Sequence, residues 1–341
     1  MITPQDLDYE LPLERIAQHP VEPRDAARLL VLDRAHDTLE DRVFRDVATL
    51  ARPSDLFVVN DTQVRAARVR ASRPTGGKAE LLLLEWREAA NTWRALVKSG
   101  ARLRVGLELD LHGPGAWRAR VAEVFVDGRC ELRFQSPVHT HVSAARELPE
   151  LLGEIPLPPY IERVKPDPAD VQDYQTVFAT HTGSVAAPTA GLHFTRELAA
   201  QLRIVTVNLS VGPGTFRPIR SDSLDAHEME RERFEIPEAT ARAIAQTRAS
   251  GGRVIAVGTT VVRALETTGG ESGSGHTQLF IRPGHRFQAI DSLITNFHLP
   301  RSTLLALVMA FGGVEPVRRA YAHALASGYR FYSYGDALWL R

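Results

Sequence analysis

Two loops of small residues are the first candidates for chemistry. The segment 183–195 surrounds one histidine, His193, with small side chains and ends at a predicted helix start. The segment 211–218 follows a predicted strand and carries Gly212 and Gly214. Small residues let a backbone approach a ligand closely, and a helix N-terminus favours an anion. Tight packing without a ligand explains both loops equally well, so the residues alone leave both interpretations open.

A short polar turn follows a further apolar run. Residues 254–257 predict a buried strand, and Gly258-Thr259-Thr260 leads from it into a predicted helix. A tight turn between a strand and a helix is the geometry in which α/β sheets bind a carboxylate or a phosphate. The turn therefore indicates a site for an anionic group without naming the ligand.

A third loop, 295–303, places Asn296, His298 and Arg301 between a predicted strand and a helix capped by Ser302. Burying three such side chains without partners would cost free energy, so a binding or catalytic role is favoured over plain packing. The tyrosine-rich segment 329–336 predicts either a packed strand or a surface on which bases stack.

The sequence lacks the signatures of several enzyme classes. It has no phosphate-binding P-loop, no G-x-G-x-x-G after a strand and no G-x-S-x-G elbow. His227-Glu228 begins like a zinc-protease motif, but Arg231 stands where the second histidine belongs. Cys130 is the single cysteine, which excludes an intrachain disulfide and a multi-cysteine zinc site. We expect no metal and interpret Cys130 as a core residue.

Charge and hydropathy restrict the partners. The 341 residues include 41 Lys and Arg and 41 Asp and Glu, so any nucleic acid must bind to a local basic patch. Residues 62–79 contain five basic side chains and no acid, which predicts such a patch or a solvated strand face. The N-terminal residues do not resemble a signal peptide. The longest apolar run, 304–311, is far below the roughly 18 residues that span a membrane.

Periodicity divides the chain into three zones that must position these groups. Up to about residue 61, apolar runs at 29–32 and 56–59 predict buried strands. The middle zone, 63–149, predicts successive strands with one apolar and one polar face. From about 153 onwards, helices and strands alternate, as in a layered α/β domain. The strands predicted for the middle zone are Ala79–Trp86, Thr92–Lys98, Arg102–Leu111, Trp117–Val126 and Arg129–Phe134.

These zones predict an α/β fold with two domains. We expect residues 1–63 and 152–341 to form a discontinuous, layered α/β domain. Residues 64–151 are expected to form an antiparallel β-barrel domain inserted into it. Two domains also fit the length, because a chain this long exceeds one core of ordinary size.

Short motifs are spread along nearly the whole chain. They are Asp8-Tyr9-Glu10-Leu11-Pro12, Ile16-Ala17-Gln18, Arg24-Asp25, 28–32, Asn60-Asp61-Thr62, Gly76-Gly77-Lys78, 153–160, Tyr174-Gln175-Thr176-Val177, 187–195, 214–218, 257–260, 295–304 and 329–336. In their order and spacing the chain resembles the S-adenosylmethionine:tRNA ribosyltransferase-isomerase family of queuosine biosynthesis. Two stretches depart from it: Leu209-Ser210-Val211-Gly212 replaces Leu-His-Val-Gly, and Gly275-His276-Thr277-Gln278 replaces Gly-Trp-Thr-Asp.

The resemblance implies a reaction on tRNA. The family transfers the ribosyl part of S-adenosylmethionine to 7-aminomethyl-7-deazaguanine at the tRNA wobble position and isomerises it, giving epoxyqueuosine. Adenine and methionine leave. S-adenosylmethionine is then a co-substrate, and no other cofactor or metal is implied. The expected partners are S-adenosylmethionine and tRNA with a 7-deazaguanine wobble base. The resemblance further implies a cytoplasmic monomer that does not bind membranes.

The implied reaction needs proton transfer, help for the departing adenine, and a place for the methionine carboxylate and the sulfonium. Proton transfer suits a histidine or a carboxylate whose pKa lies near neutrality, and an aromatic face suits an onium ion. Acid and base cannot be assigned separately at this point. The catalytic candidates are His193, His227, Glu232, Asp291 and His298, with Asp336 in a matching motif. The substrate-binding candidates are Asn60, Asp61, Thr62, Thr189, Gly191, Phe194, Gly214, Thr215, Phe216, Gly258, Thr259, Thr260, Asn296 and Tyr332. The tRNA-binding candidates are Arg65, Arg68, Arg70, Lys78, Arg217 and Arg301.

Two other classes compete with this interpretation. An ordinary S-adenosylmethionine methyltransferase needs a glycine-rich turn after its first strand, but Asp33-Arg34-Ala35-His36 follows here. A non-catalytic RNA-binding module would explain the middle zone and the basic strip. It would not explain the histidine-bearing loops of the third zone.

The basic strip yields a first prediction. On a strand, Arg68 and Arg70 share one face and can contact successive phosphates. Changing both to alanine should weaken tRNA binding and reduce the slope of log affinity against log salt by roughly one unit for each phosphate that is no longer neutralised. S-adenosylmethionine affinity should hardly change. An unaltered slope in a salt titration would mean that the strip is only a solvated strand face.

Overall fold

A computed structural model describes residues 3–100, 102–138, 142–216, 219 and 223–341. For residues 142, 143, 215, 216 and 225 only the backbone is described. The chain divides into two compact units. The first contains residues 1–63, 158–163 and 173–341, and the second contains residues 64–157 and 164–172.

The strands and α-helices have the following bounds. The strands are β1 Arg28–Asp33, β2 Thr38–Val43, β3 Leu56–Asn60, β4 Thr62–Val64, β5 Arg68–Ser72, β6 Lys78–Arg87, β7 Thr92–Ser99, β8 Glu108–Leu111, β9 Arg118–Val124, β10 Arg129–Gln135, β11 His181–Ser184, β12 Ile204–Leu209, β13 Glu232–Ile236, β14 Val254–Val257, β15 Gly273–Thr277, β16 Ser292–Asn296 and β17 Ala337–Leu340. The helices are α1 Val47–Leu50, α2 Val142–Arg146, α3 Leu148–Leu152, α4 Asp170–Asp173, α5 Arg196–Ala199, α6 Glu238–Ala249, α7 Thr259–Thr268, α8 Thr303–Gly312 and α9 Val314–Ala326.

The first unit is built on a mixed sheet. Within the described ranges, its nine strands lie in the order β15-β13-β12-β3-β14-β16-β17-β1-β2. The neighbours β12 and β3, β3 and β14, and β14 and β16 are parallel. Every residue of β3, β14 and β16 is buried, which explains why these strands are continuous apolar runs. The mixed α/β class predicted from the sequence is confirmed.

Apolar clusters cover both faces of this sheet. Leu56 and Val58 of β3 belong to one cluster, and Phe57 and Val59 belong to the other, because successive side chains of a strand point to opposite faces. Beyond the carboxyl end of β16, Ser302 caps α8 by accepting a hydrogen bond from the Leu305 N–H at 3.1 Å. That cap fixes where the loop before α8 ends.

In the part of the second unit that the structure describes, there are six antiparallel strands. They form a closed barrel in the order β10-β7-β6-β5-β8-β9. Cys130 of β10 is buried inside it, and burial raises the pKa of its thiol to about 12, so the residue belongs to the core. Residues 152–157 and 164–172 also belong to this unit, whereas the expected return to the first unit was at 152. The boundaries of an inserted barrel domain stay a prediction.

The strand prediction was wrong at one place and incomplete at others. Only Glu108–Leu111 of the predicted strand 102–111 is a strand, because the chain turns at Gly106, whose φ is 82°. The strand β2 was not predicted, and β5 was anticipated only as a strand face of the basic strip. Both are rich in charged side chains, which weakens the apolar pattern on which the prediction rested.

A buried ion pair holds the amino ends of β3 and β14 and yields a stability prediction. Asp55, 2% exposed, accepts two hydrogen bonds from Arg253, at 2.9 and 2.6 Å. We expect Asp55→Asn to lower the free energy of unfolding by about 2–3 kcal/mol, the scale of hydrogen bonds to charged groups. Asp37→Asn is the matched control, because Asp37 and its partner Arg319 are half exposed. Denaturant titration measures both, and equal effects would contradict the prediction.

The same pair sets a pH dependence. Burial works to raise the pKa of Asp55, but hydrogen bonds from Arg253 and Arg52 outweigh it and hold the pKa below its ordinary value of 3.8. The stability from this carboxylate is therefore fully present above that ordinary value and is lost as the pH falls through the folded-state pKa. The stability difference between the wild type and Asp55→Asn should shrink accordingly in acid.

Candidate functional site

The carboxyl ends of the parallel strands β12, β3, β14 and β16 meet at one edge of the sheet. The chain places β12 on one side of β3 and β14 on the other, so a crevice is expected at the end of β3. A pocket of about 330 Å³, part of it open to solvent, lies at this edge and is called the switch-point pocket here. It is lined by Ala187, Pro188, Thr189, Ala190, Val211, Gly258, Thr259, Thr260, Thr295, Asn296, His298 and Leu304.

The switch-point pocket brings three of the sequence-predicted loops together. Thr189 donates a hydrogen bond to Asn296 Oδ1 at 3.0 Å, which joins the first loop to the third. Asn60, at the end of β3, donates to the Leu209 carbonyl at 3.0 Å and contacts Thr260 Oγ1 at 3.4 Å. Asn60 therefore connects three strand ends at the pocket.

The turn after β14 leaves the backbone accessible at the start of α7. Gly258 has a φ of 96°, and its N–H donates to the Ile294 carbonyl at 2.8 Å. Side chains rarely adopt that φ, so glycine suits the position. Thr259 and Thr260 form the first turn of α7, where unpaired N–H groups and the helix dipole favour a negative charge. The turn can hold a carboxylate.

His298 is a buried, neutral member of the site. Its Nε2 shares a hydrogen bond of 2.7 Å with Thr295 Oγ1, and its backbone N–H donates to the Tyr321 hydroxyl at 2.9 Å. Burial lowers the pKa of His298 to about 3, so the ring is uncharged at neutral pH. Its contacts fix the orientation of the ring at the wall of the pocket.

His193 lies behind the same wall. Its ring stacks on Phe44 at 4.9 Å, and its Nε2 lies 3.1 Å from Asn296 Nδ2. Asn296 Nδ2 also donates to the Tyr332 carbonyl at 3.1 Å, so this atom is the amide nitrogen and His193 Nε2 is the acceptor. The proton of the neutral ring is then on Nδ1. Burial, with the positive charges of Arg330 and Arg24, lowers the pKa of His193 to about 3.

A second pocket lies on the other side of His193. It measures about 220 Å³ with its opening to solvent and is called the arginine pocket here. His193 lines this pocket, and Asn296 lines the switch-point pocket. The hydrogen bond between these two side chains separates the two pockets. The lining residues are Pro20, Val21, Arg24, Ala27, Leu192, His193, Arg330, Ser333, Tyr334 and Gly335. Neither Arg24 nor Arg330 was among the predicted site residues, although both lie in motifs that carry the family resemblance.

The acidic catalytic candidates have structural contacts. Glu232 is buried in an ion pair with Arg263 of α7, and it accepts the Gly212 N–H at 3.3 Å. Asp291 precedes β16 and accepts the Val254 N–H at 2.8 Å. It is roughly 15 Å from Asn296 at the other end of the strand, given about 3.3 Å per residue. These carboxylates stabilise the sheet and line neither pocket, and their catalytic role stays a prediction.

Two further candidates lie outside the pockets. His227 packs its ring edge against Phe280 at 5.4 Å, and burial lowers its pKa. Asp336 accepts backbone hydrogen bonds from Arg28 at 2.9 Å and Arg330 at 2.7 Å. Burial raises the pKa of Asp336 despite these bonds, and its carboxylate ties the segment before β17 to the start of β1.

Several residues that were predicted to contact substrate are tightly packed, and their binding role stays a prediction. Phe194 is fully buried, with its ring 5.0 Å from that of Phe44. A Cβ at Gly191 would meet Thr176 at 3.0 Å, and one at Gly214 would meet Glu230 at 2.4 Å. These positions are small because neighbours occupy the space.

The remaining predicted substrate contacts fall into two groups: some pack or hydrogen-bond within the fold, and others lie outside the described residues. Tyr332 has a φ of 71° and packs on Tyr160 with 4.6 Å between ring centroids. Asp61 accepts a hydrogen bond from Asn208 at 2.9 Å, and Thr62 bonds to Ser184 at 2.7 Å, so both stabilise the end of β3. The side chains of Thr215 and Phe216, and Arg217 as a whole, lie outside the described residues.

The basic strip is not free of acids in the folded second unit. Val69 points inward and Arg68 and Arg70 point outward, as expected. Arg68, however, lies 3.4 Å from Glu80, and Arg70 lies 2.8 Å from Glu154. A phosphate contact at either arginine must therefore compete with a carboxylate.

The other basic candidates differ in exposure. Arg65 lies over the Trp93 ring at 5.2 Å, and burial lowers its pKa. Lys78 is exposed. Arg301, with a φ of 54°, donates its backbone N–H to Leu7 at 2.9 Å. Lys78 and Arg70 are therefore the exposed cations of the strip, and Arg70 is paired with Glu154.

Two features are absent from the described residues. No cluster of three or more His, Cys, Asp or Glu side chains there could hold a metal ion. None of the helices in the described ranges combines the length and apolar character needed to cross a bilayer.

Comparisons with known proteins place the chain in a family. The model of the family described as "Queuosine biosynthesis protein" matches residues 4–340. The S-adenosylmethionine:tRNA ribosyltransferase-isomerase of Moorella thermoacetica is 50% identical, with 98% of each chain covered. The protein of the same name from Anaeromyxobacter dehalogenans strain 2CP-1 is 48% identical, again with 98% of each chain covered. The crystal structure of an S-adenosylmethionine tRNA ribosyltransferase from Thermotoga maritima matches with a TM-score of 0.54 and 35% identity, covering 98% of this chain and 100% of that one. With a family match over nearly its whole length, the chain belongs to the queuosine biosynthesis protein family.

Proposed function

We propose that this chain is an S-adenosylmethionine:tRNA ribosyltransferase-isomerase. It transfers the ribosyl part of S-adenosylmethionine to 7-aminomethyl-7-deazaguanine at the tRNA wobble position and isomerises it to give epoxyqueuosine, with release of adenine and methionine. S-adenosylmethionine is consumed as a co-substrate, and no further cofactor takes part. The names of the relatives support the substrates. The observation that carries the proposal is the pair of pockets on either side of the His193–Asn296 hydrogen bond.

The switch-point pocket suits S-adenosylmethionine. The N-terminal turn of α7 offers backbone N–H groups and the Thr259 and Thr260 hydroxyls to the methionine carboxylate. Asn296 and His298 present neutral polar groups to the ribosyl hydroxyls. No guanidinium group lines this pocket within the described residues, which favours a ligand that carries a sulfonium.

His193 is the group best placed to handle a proton between the two substrates. Its Nε2 accepts a hydrogen bond from Asn296, and its pKa is low partly because Arg330 and Arg24 are near. An anion beside those guanidinium groups would raise the pKa of His193 and make the ring a better proton acceptor. The base would then become effective when a polyanionic substrate binds and Asn296 Nδ2 no longer donates to Nε2, the ring nitrogen without a proton. We further propose that the protein acts as a cytoplasmic monomer.

One assay tests the reaction. The protein is incubated with labelled S-adenosylmethionine and tRNA that carries 7-aminomethyl-7-deazaguanine, and the small products are separated by liquid chromatography and mass spectrometry. Adenine and methionine in equal amounts are expected. S-adenosylhomocysteine would instead indicate methyl transfer, and tRNA binding without any product would indicate an RNA-binding module.

A substitution at His193 tests its role. We expect His193→Gln to lower turnover by about a hundredfold or more, the scale for removal of a positioned proton-transfer group. Glutamine can still accept the Asn296 hydrogen bond and fills more of the buried space than alanine would. The melting temperature should change little. If the variant is fully active, or if it loses activity only because it is unfolded, His193 is a core residue and has no role in proton transfer.

Asp291→Asn provides a contrast within the same assay. Because its carboxylate lies at the opposite edge of the sheet, turnover should stay within about twofold of the wild type. A decrease comparable to that of His193→Gln, with the fold intact by circular dichroism, would confirm the predicted role of Asp291 as a catalytic residue.

A further inference from the structure

The arginine pocket carries two cationic side chains from distant segments. Arg24 belongs to the N-terminal segment, and Arg330 precedes β17. Arg330 donates Nη1 to the His19 carbonyl at 3.2 Å, while its Nη2 is buried without a hydrogen-bond partner. Across the described residues, no carboxylate oxygen lies within 4 Å of the Arg330 guanidinium group. A buried donor left unpaired costs free energy, so a ligand that accepts from Nη2 would be stabilised.

The negative charges near the pocket are already engaged. Arg24 donates to the Gln175 carbonyl at 2.7 Å and lies 3.8 Å from Asp173. Asp336 acts on Arg330 electrostatically, but its two oxygens accept backbone hydrogen bonds. Neither carboxylate lines the pocket. The charges that face its interior are therefore positive.

The rest of the lining suits a phosphate group better than a base. Pro20 and Val21 form an apolar wall, whereas Ser333 and Tyr334 are each 2% exposed and the Ser333 hydroxyl is bonded to that of Tyr160. Guanidinium groups bind phosphate oxygens, often with two parallel hydrogen bonds.

Resting on the function proposed above, we infer that the arginine pocket binds a phosphodiester group of the tRNA anticodon loop beside the wobble nucleotide. The sign of the charges decides between the two substrates. S-adenosylmethionine carries a sulfonium, an ammonium and one carboxylate, so its net charge is positive and two guanidinium groups repel it. Each tRNA nucleotide adds one negative charge. The shared wall of His193 and Asn296 then brings the wobble base next to the switch-point pocket.

Equilibrium binding to an anticodon stem-loop tests the inference without any turnover. Arg330→Gln should weaken binding about tenfold at moderate salt and reduce the slope of log affinity against log salt by roughly one unit. S-adenosylmethionine affinity should stay within about twofold, and Arg330→Lys should restore part of the tRNA affinity. Arg319→Gln is the matched control, because Arg319 is an exposed arginine of α9 that lines neither pocket. It should leave the slope unchanged.

A neutral methylphosphonate placed at single positions of the stem-loop identifies the phosphate. At the contacted position the wild type should lose affinity, and Arg330→Gln should lose nothing more.

A variant that loses S-adenosylmethionine but not tRNA would assign the pocket to the methionine carboxylate and overturn the inference. Unchanged binding of both ligands would also overturn it. If the wild type releases adenine and methionine but Arg330→Gln binds tRNA normally, the phosphate subsite alone is refuted. If Arg330→Gln loses tRNA binding but the wild type releases neither adenine nor methionine, only the proposed reaction is refuted.

Discussion

The parallel pairing of β12, β3, β14 and β16 is the constraint on which the site depends. Every residue of β3, β14 and β16 is buried, and the polar residues of these three strands lie at or next to their ends. Since parallel strands end at the same edge, the polar loops that follow them must meet there. Asn60 makes this meeting specific, because its amide bonds β3 to β12 and reaches Thr260 of α7. The glycine at 258 then lets the chain turn directly from strand to helix.

Electrostatics divides the site in two. The switch-point pocket is lined by neutral groups and by the positive end of a helix, whereas the arginine pocket is lined by two guanidinium groups. His193 stands between them as a neutral ring, since both its burial and the neighbouring cations oppose protonation. A reaction between a cationic and a polyanionic substrate benefits from this division, because each substrate is repelled less in its own pocket. The proton-accepting strength of His193 is then linked to the occupancy of the arginine pocket.

The buried carboxylates of the first unit make structural contacts, whereas neutral groups line the switch-point pocket. Asp55 pairs with Arg253 at the amino ends of two strands, and Glu232 pairs with Arg263 and accepts from the Gly212 N–H in the loop 211–218. Asp336 accepts hydrogen bonds from two backbone N–H groups, those of Arg28 and Arg330. Removing one partner of such a pair leaves a charge that the interior solvates poorly. The contacts of these acids therefore stabilise the first unit.

The sequence by itself determined the local features, because each is encoded by neighbouring residues. These features are the apolar strands 29–32, 56–59 and 254–257, the polar loops at 258–260 and 295–303, and the place of His193 in a loop of small residues. Only the tertiary structure decided which groups meet. It paired Arg70 with Glu154 and Glu232 with Arg263, and it moved Asp291 to the far edge of the sheet. It also brought Arg24 and Arg330 into one pocket. Such contacts depend on strand order and on the direction of each strand, which no local pattern of residues encodes, so the charge balance of a site emerges only once the chain has folded.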